Sequence, residues 1–191
     1  MKHVLFDYGN VICLPQSEAD AARLAQGIPG FEERYWELRL DFDRGTLDDA
    51  AYWSAVYGRP VAGAELDQVI ALDVASWSRP NEETLAIVDE LAAGGVPMAL
   101  LSNAPVSIAD GVDLLPFMAP IRPRFFSGRM GLVKPDQEIY LRVADGMGVA
   151  PGDIVFVDDR LENIEGAERA GMTGVHFRDA ATLRDDLKLA L

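Results

Sequence analysis

The sequence has one cysteine and no long hydrophobic run, and each shortage excludes a class of protein. A single cysteine, Cys13, cannot form an intramolecular disulfide. The apolar run after Met1 is too short for a secretory signal, and the longest later runs, such as residues 96–101, fall far below the roughly 20 apolar residues that span a bilayer. The sequence therefore predicts a cytoplasmic protein with no membrane partner.

Basic residues are outnumbered, with 17 lysines and arginines against 31 aspartates and glutamates and a formal net charge of -14. A chain this acidic repels the phosphates of nucleic acids and of anionic membranes, so neither is expected as a partner. It also repels a phosphorylated small molecule. Any phosphate site in this chain must therefore supply its own positive charge.

The residues that are present suit a packed domain. The chain has 191 residues, of which 49% are hydrophobic, enough for one domain or for a core domain with a modest insertion. Short apolar runs occur at residues 4–6, 97–101, 154–157 and 174–177, with helical patterns over residues 81–93, 136–147 and 161–170. Alternating strands and helices predict a doubly wound α/β fold with a parallel sheet.

Residues 15–79 follow a different pattern. They show helical periodicity over residues 31–42 and 47–56, glycine and proline breaks, and no clear strand. We interpret this stretch as a helical insertion after the first strand. The predicted domains are an α/β core formed by residues 1–14 and 80–191 and a helical cap formed by residues 15–79. A monomer or a homodimer is expected.

Four polar motifs follow in order, and three of them lie where a predicted strand ends. They are FDYGNV at residues 6–11, LSN at 101–103, KP at 134–135 and VDDRLEN at 157–163. Each alone is common as a helix cap or as a solvated side chain. Because ligands bind at the carboxyl ends of parallel strands, the joint pattern predicts one site.

The residue types in these motifs supply what phosphoryl transfer needs. The carboxylate of Asp7 can attack phosphorus and form an aspartyl phosphate. Asp158 and Asp159 can help to hold a hard cation such as Mg²⁺. Ser102 and nearby backbone N–H groups can hold phosphate oxygens, and Lys134 is the positive charge that this acidic chain requires.

This pattern resembles the phosphatase branch of the haloacid dehalogenase (HAD) superfamily, over nearly the whole chain. The wording of the motifs is most similar to a bacterial branch that includes an α-glucose-1-phosphate phosphatase. The resemblance implies a Rossmann-like core with an inserted helical cap, and a magnesium-dependent phosphatase acting on a small phosphorylated metabolite. It matches the nucleophile to Asp7, the phosphate-binding residues to Ser102 and Asn103, and the third-motif lysine to Lys134.

The resemblance also implies a ligand set for magnesium. It assigns the ion to Asp7, to the backbone carbonyl of Gly9 and to Asp159, with Asp158 close behind. One departure concerns Gly9, because most phosphatases of the family carry an acid–base aspartate there. Loss of such a group typically costs about 10²- to 10⁴-fold in rate. Glycine at this position also fits a backbone with positive φ, in which case an aspartate would be strained.

Two alternatives remain open at this stage. A metal-free haloacid dehalogenase also uses an aspartate nucleophile, although two further carboxylates without a cation would repel its acidic substrate. A weakly active or inactive fold relative, acting as a binding or regulatory protein, is the second alternative. The glycine at position 9 is the feature that supports it.

Overall fold

A computed structural model describes residues 1–191, and its central feature is a parallel five-stranded sheet in the order β3-β2-β1-β4-β5. The strands are β1 (His3–Phe6), β2 (Met98–Ser102), β3 (Arg124–Phe126), β4 (Ile154–Asp158) and β5 (Thr173–His176). The helices of the sheet domain are α6 (Glu82–Ala93), α7 (Val106–Asp113), α8 (Ser127–Met130), α9 (Gln137–Met147), α10 (Leu161–Arg169) and α11 (Ala180–Ala190). The predicted α/β fold is confirmed.

Successive residues of a strand point to opposite faces of the sheet, and here the residues on both faces are apolar. Helices therefore pack against both faces. Val4 and Phe6 belong to a buried cluster shared with α6, α7 and α11. Leu5 belongs to a second cluster, shared with α9 and α10. The central strands are therefore buried on both sides, which explains their continuous apolar sequence.

A second group of helices lies between β1 and α6. It consists of α1 (Glu18–Ala25), α2 (Phe31–Glu37), α3 (Arg39–Arg44), α4 (Asp49–Tyr57) and α5 (Ala64–Ser76), and we call it the cap. It packs around its own hydrophobic cluster, in which Tyr35, Tyr52 and Trp53 are fully buried. The helical character predicted for this stretch agrees with these elements, while the domain boundaries themselves stay a prediction.

The end of α3 is fixed tightly against the sheet domain. Gly45 ends this helix with φ of 81°, and an added Cβ atom would lie 2.8 Å from the carbonyl oxygen of Gly128. The Ser127 hydroxyl donates a hydrogen bond of 2.5 Å to the carbonyl of Asp43 and accepts one of 2.8 Å from the backbone N–H of Ala104. One face of the cap is thereby held beside the end of β2. No helix of the protein is long and apolar enough to cross a bilayer.

Candidate active site

Three residues that the sequence places at strand ends meet at one edge of the sheet, namely Asp7, Ser102 and Asp158. Phe6 of β1 pairs with Leu100 of β2 on one side and with Val157 of β4 on the other. This register brings Asp7, Ser102 and Asp158 to nearly the same level. A cavity of ≈ 520 Å³ opens there between the sheet and the cap. Among the residues that line it are Asp7, Gly9, Ser102, Asn103, Lys134 and Asp159.

Lys134 is buried at the centre of the site and joins two aspartates. Its ammonium group donates hydrogen bonds of 2.7 Å to Oδ1 of Asp7 and of 2.7 Å to Oδ2 of Asp158. A third bond of 3.2 Å goes to the carbonyl oxygen of Leu101. Burial lowers the pKa of Lys134, but the Asp158 and Asp7 carboxylates outweigh it and raise that pKa above its usual value. A fixed positive charge therefore lies beside the predicted nucleophile.

Asp7 is nearly buried, and only one of its carboxylate oxygens is engaged by Lys134. Burial raises the pKa of Asp7 to about 7, although the neighbouring Lys134 acts to lower it. The ionised carboxylate is costly in this environment without a second cation. A bound divalent ion would supply one.

The donor set suits a hard divalent cation. Carboxylate oxygens of Asp7, Asp158 and Asp159 lie within 4.8 Å of one another. Three carboxylates and the Lys134 ammonium leave two negative charges, which a divalent ion balances. Oxygen-only ligands are those that Mg²⁺ prefers. The residues present therefore fit the metal that the motifs imply.

The two neighbouring aspartates differ in how freely they can bind a ligand. Both oxygens of the fully buried Asp158 are engaged, by Lys134, by the backbone N–H of Arg160 and by the Asn163 side chain. Asp159 lies at the cavity and accepts one hydrogen bond of 2.8 Å from the Asn10 side chain. This arrangement favours Asp159 as a direct ligand and Asp158 as the residue that orients Lys134.

Asn103 lies at the site, where its side chain forms hydrogen bonds to the backbone of Lys134. Its amide oxygen accepts from the backbone N–H of Lys134 at 2.9 Å, and its amide nitrogen donates to the Lys134 carbonyl at 3.0 Å. This pair of bonds fixes the loop that presents Lys134. Phosphate binding by Asn103 stays a prediction.

The backbone after Asp7 corrects one sequence expectation. Gly9 does not have positive φ, whereas its neighbour Asn10 does, at 59°. Glycine at position 9 is therefore not required by the conformation of its backbone. The backbone N–H groups of Tyr8 and Gly9 form no backbone hydrogen bonds. They are available to a ligand at the nucleophile.

Several cap residues line the cavity opposite Asp7, and none of them belongs to the four sequence motifs. They are Trp36, Arg39, Leu40, Asp43 and Arg44. Trp77, which directly follows α5, also lines the cavity. The only sequence signal for the charged pair is the spacing of Arg39 and Asp43, four residues apart on a predicted helix. That spacing is equally common on solvated helices, so it does not point to a site.

Arg39 and its partners form a buried ionic network in the cap. Its Nε donates to Oδ1 of Asp43 at 2.8 Å, and its Nη1 donates to the Tyr35 hydroxyl at 2.6 Å and lies 3.5 Å from Oδ2 of Asp73. Two carboxylates thus share one guanidinium group. Burial raises the pKa of both Asp43 and Asp73, because a single positive charge only partly offsets the loss of water.

Comparisons with known proteins agree with this geometry. Residues 1–171 match the model of the haloacid dehalogenase-like hydrolase family. Sesquiterpene phosphatase astK of Aspergillus oryzae is 26% identical over 94% of this chain and 91% of its own length. Flavin mononucleotide hydrolase 1 of Arabidopsis thaliana is 36% identical, but the match spans 53% of this chain and 41% of the relative.

A solved structure shares nearly the whole fold. A variant of the HAD family enzyme BT-2542 of Bacteroides thetaiotaomicron, crystallised with magnesium and inorganic phosphate, superposes with a TM-score of 0.79. It covers 96% of this chain and 98% of its own, at 20% sequence identity. The chain belongs to the haloacid dehalogenase-like hydrolase family.

Proposed function

We propose that the protein is a magnesium-dependent phosphatase that hydrolyses a small phosphorylated metabolite, such as a sugar phosphate, through an aspartyl phosphate on Asp7. The observation that carries the proposal is the contact of Lys134 with both Asp7 and Asp158, beside Asp159 and within one cavity. It unites a nucleophile, a fixed positive charge and an oxygen-rich cation site. The phosphatases among the relatives add support.

In this proposal each group at the nucleophile has a role. Lys134 holds Oδ1 of Asp7, so the other carboxylate oxygen is the one that attacks phosphorus. The bond from phosphorus to the leaving oxygen breaks, and that oxygen takes up a proton, which the water of the second step replaces. Water then attacks the phosphorus of the aspartyl phosphate, which releases inorganic phosphate and restores Asp7. Ser102, Lys134 and the free backbone N–H groups of Tyr8 and Gly9 hold the phosphate oxygens.

Asp7, the carbonyl of Gly9 and Asp159 would hold magnesium, with Asp158 behind them. The ion supplies positive charge that offsets repulsion between the Asp7 carboxylate and the phosphate dianion. Asp158 holds the Lys134 ammonium group in position by accepting its hydrogen bond of 2.7 Å. The Asn163 side chain in turn donates hydrogen bonds to both carboxylate oxygens of Asp158. Substituting Asp158 or Asn163 would therefore displace the Lys134 ammonium group without removing its charge.

The cavity has room for a metabolite. Its volume of ≈ 520 Å³ lies within the range of small-molecule sites, about 300–1,000 Å³. Trp36 and Trp77 present aromatic surface, while Arg39 and Asp43 offer a donor and an acceptor. Because Asp43 and Asp73 already offset the charge of Arg39, the part of the wall around Arg39 suits hydroxyl groups better than a second anionic group.

The dehalogenase alternative finds less support at this site. Asp158 and Asp159 add two carboxylates beside the nucleophile, and without a cation they would repel a carboxylate substrate. The regulatory alternative rests on Gly9 alone, whereas the contacts of Lys134 with Asp7 and Asp158 support a catalytic site.

The test is a screen of the purified protein against phosphorylated metabolites, with magnesium and with excess chelator. We expect release of inorganic phosphate that chelator abolishes and that magnesium restores. Asp7→Asn is the matched control and should release none. Failure to hydrolyse any phosphomonoester contradicts the proposal. Undiminished hydrolysis in chelator contradicts the metal requirement and makes a short 2-haloacid the next substrate to test.

A further inference from the structure

The site lacks a proton donor at position 9, and the cap offers a carboxyl group that could take its place. Five carboxylate residues line the cavity, namely Asp7, Asp43, Asp136, Asp159 and Glu162. Asp7 is the proposed nucleophile, and Asp159 is a proposed metal ligand. Asp136 and Glu162 have half-exposed side chains and face Arg44 and Arg160. Asp43 is the buried carboxylate that has no other assignment.

The position of Asp43 is fixed at both its backbone and its side chain. Its carbonyl accepts a bond of 2.5 Å from the Ser127 hydroxyl, which also accepts from the N–H of Ala104, two residues after Ser102. Oδ1 of its side chain accepts from Nε of Arg39 at 2.8 Å. The other carboxylate oxygen, Oδ2, has no hydrogen-bond partner within the protein and is accessible from the cavity.

Trp77 links this carboxyl group to the gap at Gly9. Cζ3 of its ring lies 3.8 Å from the position of a Cβ atom on Gly9. The guanidinium carbon of Arg39 lies 5.9 Å from the centroid of the same ring. Trp77 therefore lies beside the position of a side chain at position 9, and the Arg39 guanidinium, which bonds Asp43, lies over the same ring.

We propose that Asp43 is the general acid and base of this site, an inference that rests on the phosphatase function proposed above. In the first step Asp7 bonds to phosphorus, the bond to the leaving oxygen breaks, and the Asp43 carboxyl gives that oxygen its proton. In the second step the Asp43 carboxylate takes a proton from water as the water oxygen attacks phosphorus. The bond from Asp7 to phosphorus breaks, inorganic phosphate leaves, and Asp43 is protonated again.

The charges around Asp43 suit proton transfer near neutral pH. Burial raises its pKa to about 6, Arg39 opposes this rise, and Asp73 adds to it. Lys134 across the cavity lowers the pKa slightly, and the Tyr35 hydroxyl bonds Arg39 from the other side. A pKa in this range leaves both protonation states accessible, as a residue that acts first as acid and then as base requires.

The experiment compares Asp43→Asn with Asp73→Asn, because both remove one carboxylate from Arg39 but only Asp43 lines the cavity. Substrates are an alkyl phosphomonoester and p-nitrophenyl phosphate, whose leaving group needs little protonation. For Asp43→Asn we expect turnover of the alkyl ester to fall about 100-fold or more. Phosphoenzyme formation from the aryl ester, measured by rapid mixing, should fall less than about threefold, because that step needs little acid. Asp73→Asn should change both first steps by the same factor.

Equal losses on both substrates in Asp43→Asn would show a structural role and overturn the inference. The wild-type enzyme gives a readout that needs no variant to fold. Phosphoenzyme formation should depend little on the pKa of the leaving group at pH 5.5 and more steeply as the pH rises above about 6, where the Asp43 proton is lost. A steep dependence at every pH would also overturn it. A wild-type enzyme that hydrolyses neither ester would instead contradict the phosphatase proposal.

Discussion

Cζ3 of Trp77 lies 3.8 Å from the position that a Cβ atom on Gly9 would occupy, an ordinary contact distance. Gly9 has no positive φ, so its backbone also accepts a side chain. Gly45, on the cap side of the site, differs in both respects. Its φ is 81°, and its added Cβ would lie 2.8 Å from the Gly128 carbonyl oxygen.

The same substitution at these two glycines should change stability by different amounts. Gly9→Ala should change the free energy of unfolding by less than about 1 kcal/mol, since neither strain nor a clash arises. Gly45→Ala should lower it by about 2 kcal/mol or more, because an L-residue at positive φ costs about 1–2 kcal/mol before the clash is added. Urea unfolding of both variants checks this. Similar losses in the two would show that position 9 is more tightly packed than its contacts indicate.

Replacing the nucleophile should separate activity from stability. Asp7→Asn should reduce phosphate release by at least about 10³-fold, because an amide cannot form the acyl phosphate. Its free energy of unfolding should stay within about 1 kcal/mol of the wild type, since burial already disfavours the ionised carboxylate. Phosphate trapped on another residue after a quench would refute the assignment. The exposed Asp110→Asn is the control and should change neither quantity.

Lys134 should contribute to both the activity and the stability of the protein. Lys134→Ala leaves the Asp7 and Asp158 carboxylates buried without their shared cation. Breaking a buried ion pair typically costs about 3–5 kcal/mol, and turnover should fall at least about 100-fold. Lys188→Ala, which removes an exposed lysine paired with Asp185, should cost less than about 1 kcal/mol. Turnover of Lys134→Ala within a few-fold of wild type would exclude Lys134 as the charge that binds phosphate.

The cap network makes stability depend on pH. The folded pKa of Asp43, about 6, lies above its ordinary value of 3.8, so folding takes up a proton between these values. The contribution of Asp43 is thus fully present below about pH 4 and is lost as the pH rises through 6. Between pH 4 and 7 the wild type should lose about 1–3 kcal/mol relative to Asp43→Asn. Unfolding measured at several pH values tests this, with the exposed Asp89→Asn as control. A constant difference between wild type and Asp43→Asn would contradict it.

The sequence predicted four of the five strands, because each is a continuous apolar run that stops at a polar residue. It missed β3 (Arg124–Phe126), which has three residues, begins with arginine and pairs only with β2. It also predicted one helix over residues 31–42, where the structure has α2 and α3 separated at Leu38. Short elements carry too few residues for a periodic pattern, so tertiary contacts decide them.

The sequence by itself determined the α/β fold and which residues stand at the strand ends, because continuous apolar runs stop at Asp7, Ser102 and Asp158, and parallel strands end at the same edge of a sheet. Tertiary structure alone decided which carboxylate oxygens remain free and which cap residues face the nucleophile. Those properties depend on contacts between residues far apart in the chain, such as Lys134 with Asp7 and Asp43 with Ser127. No local period encodes such contacts, since they arise only when elements distant in the chain pack together.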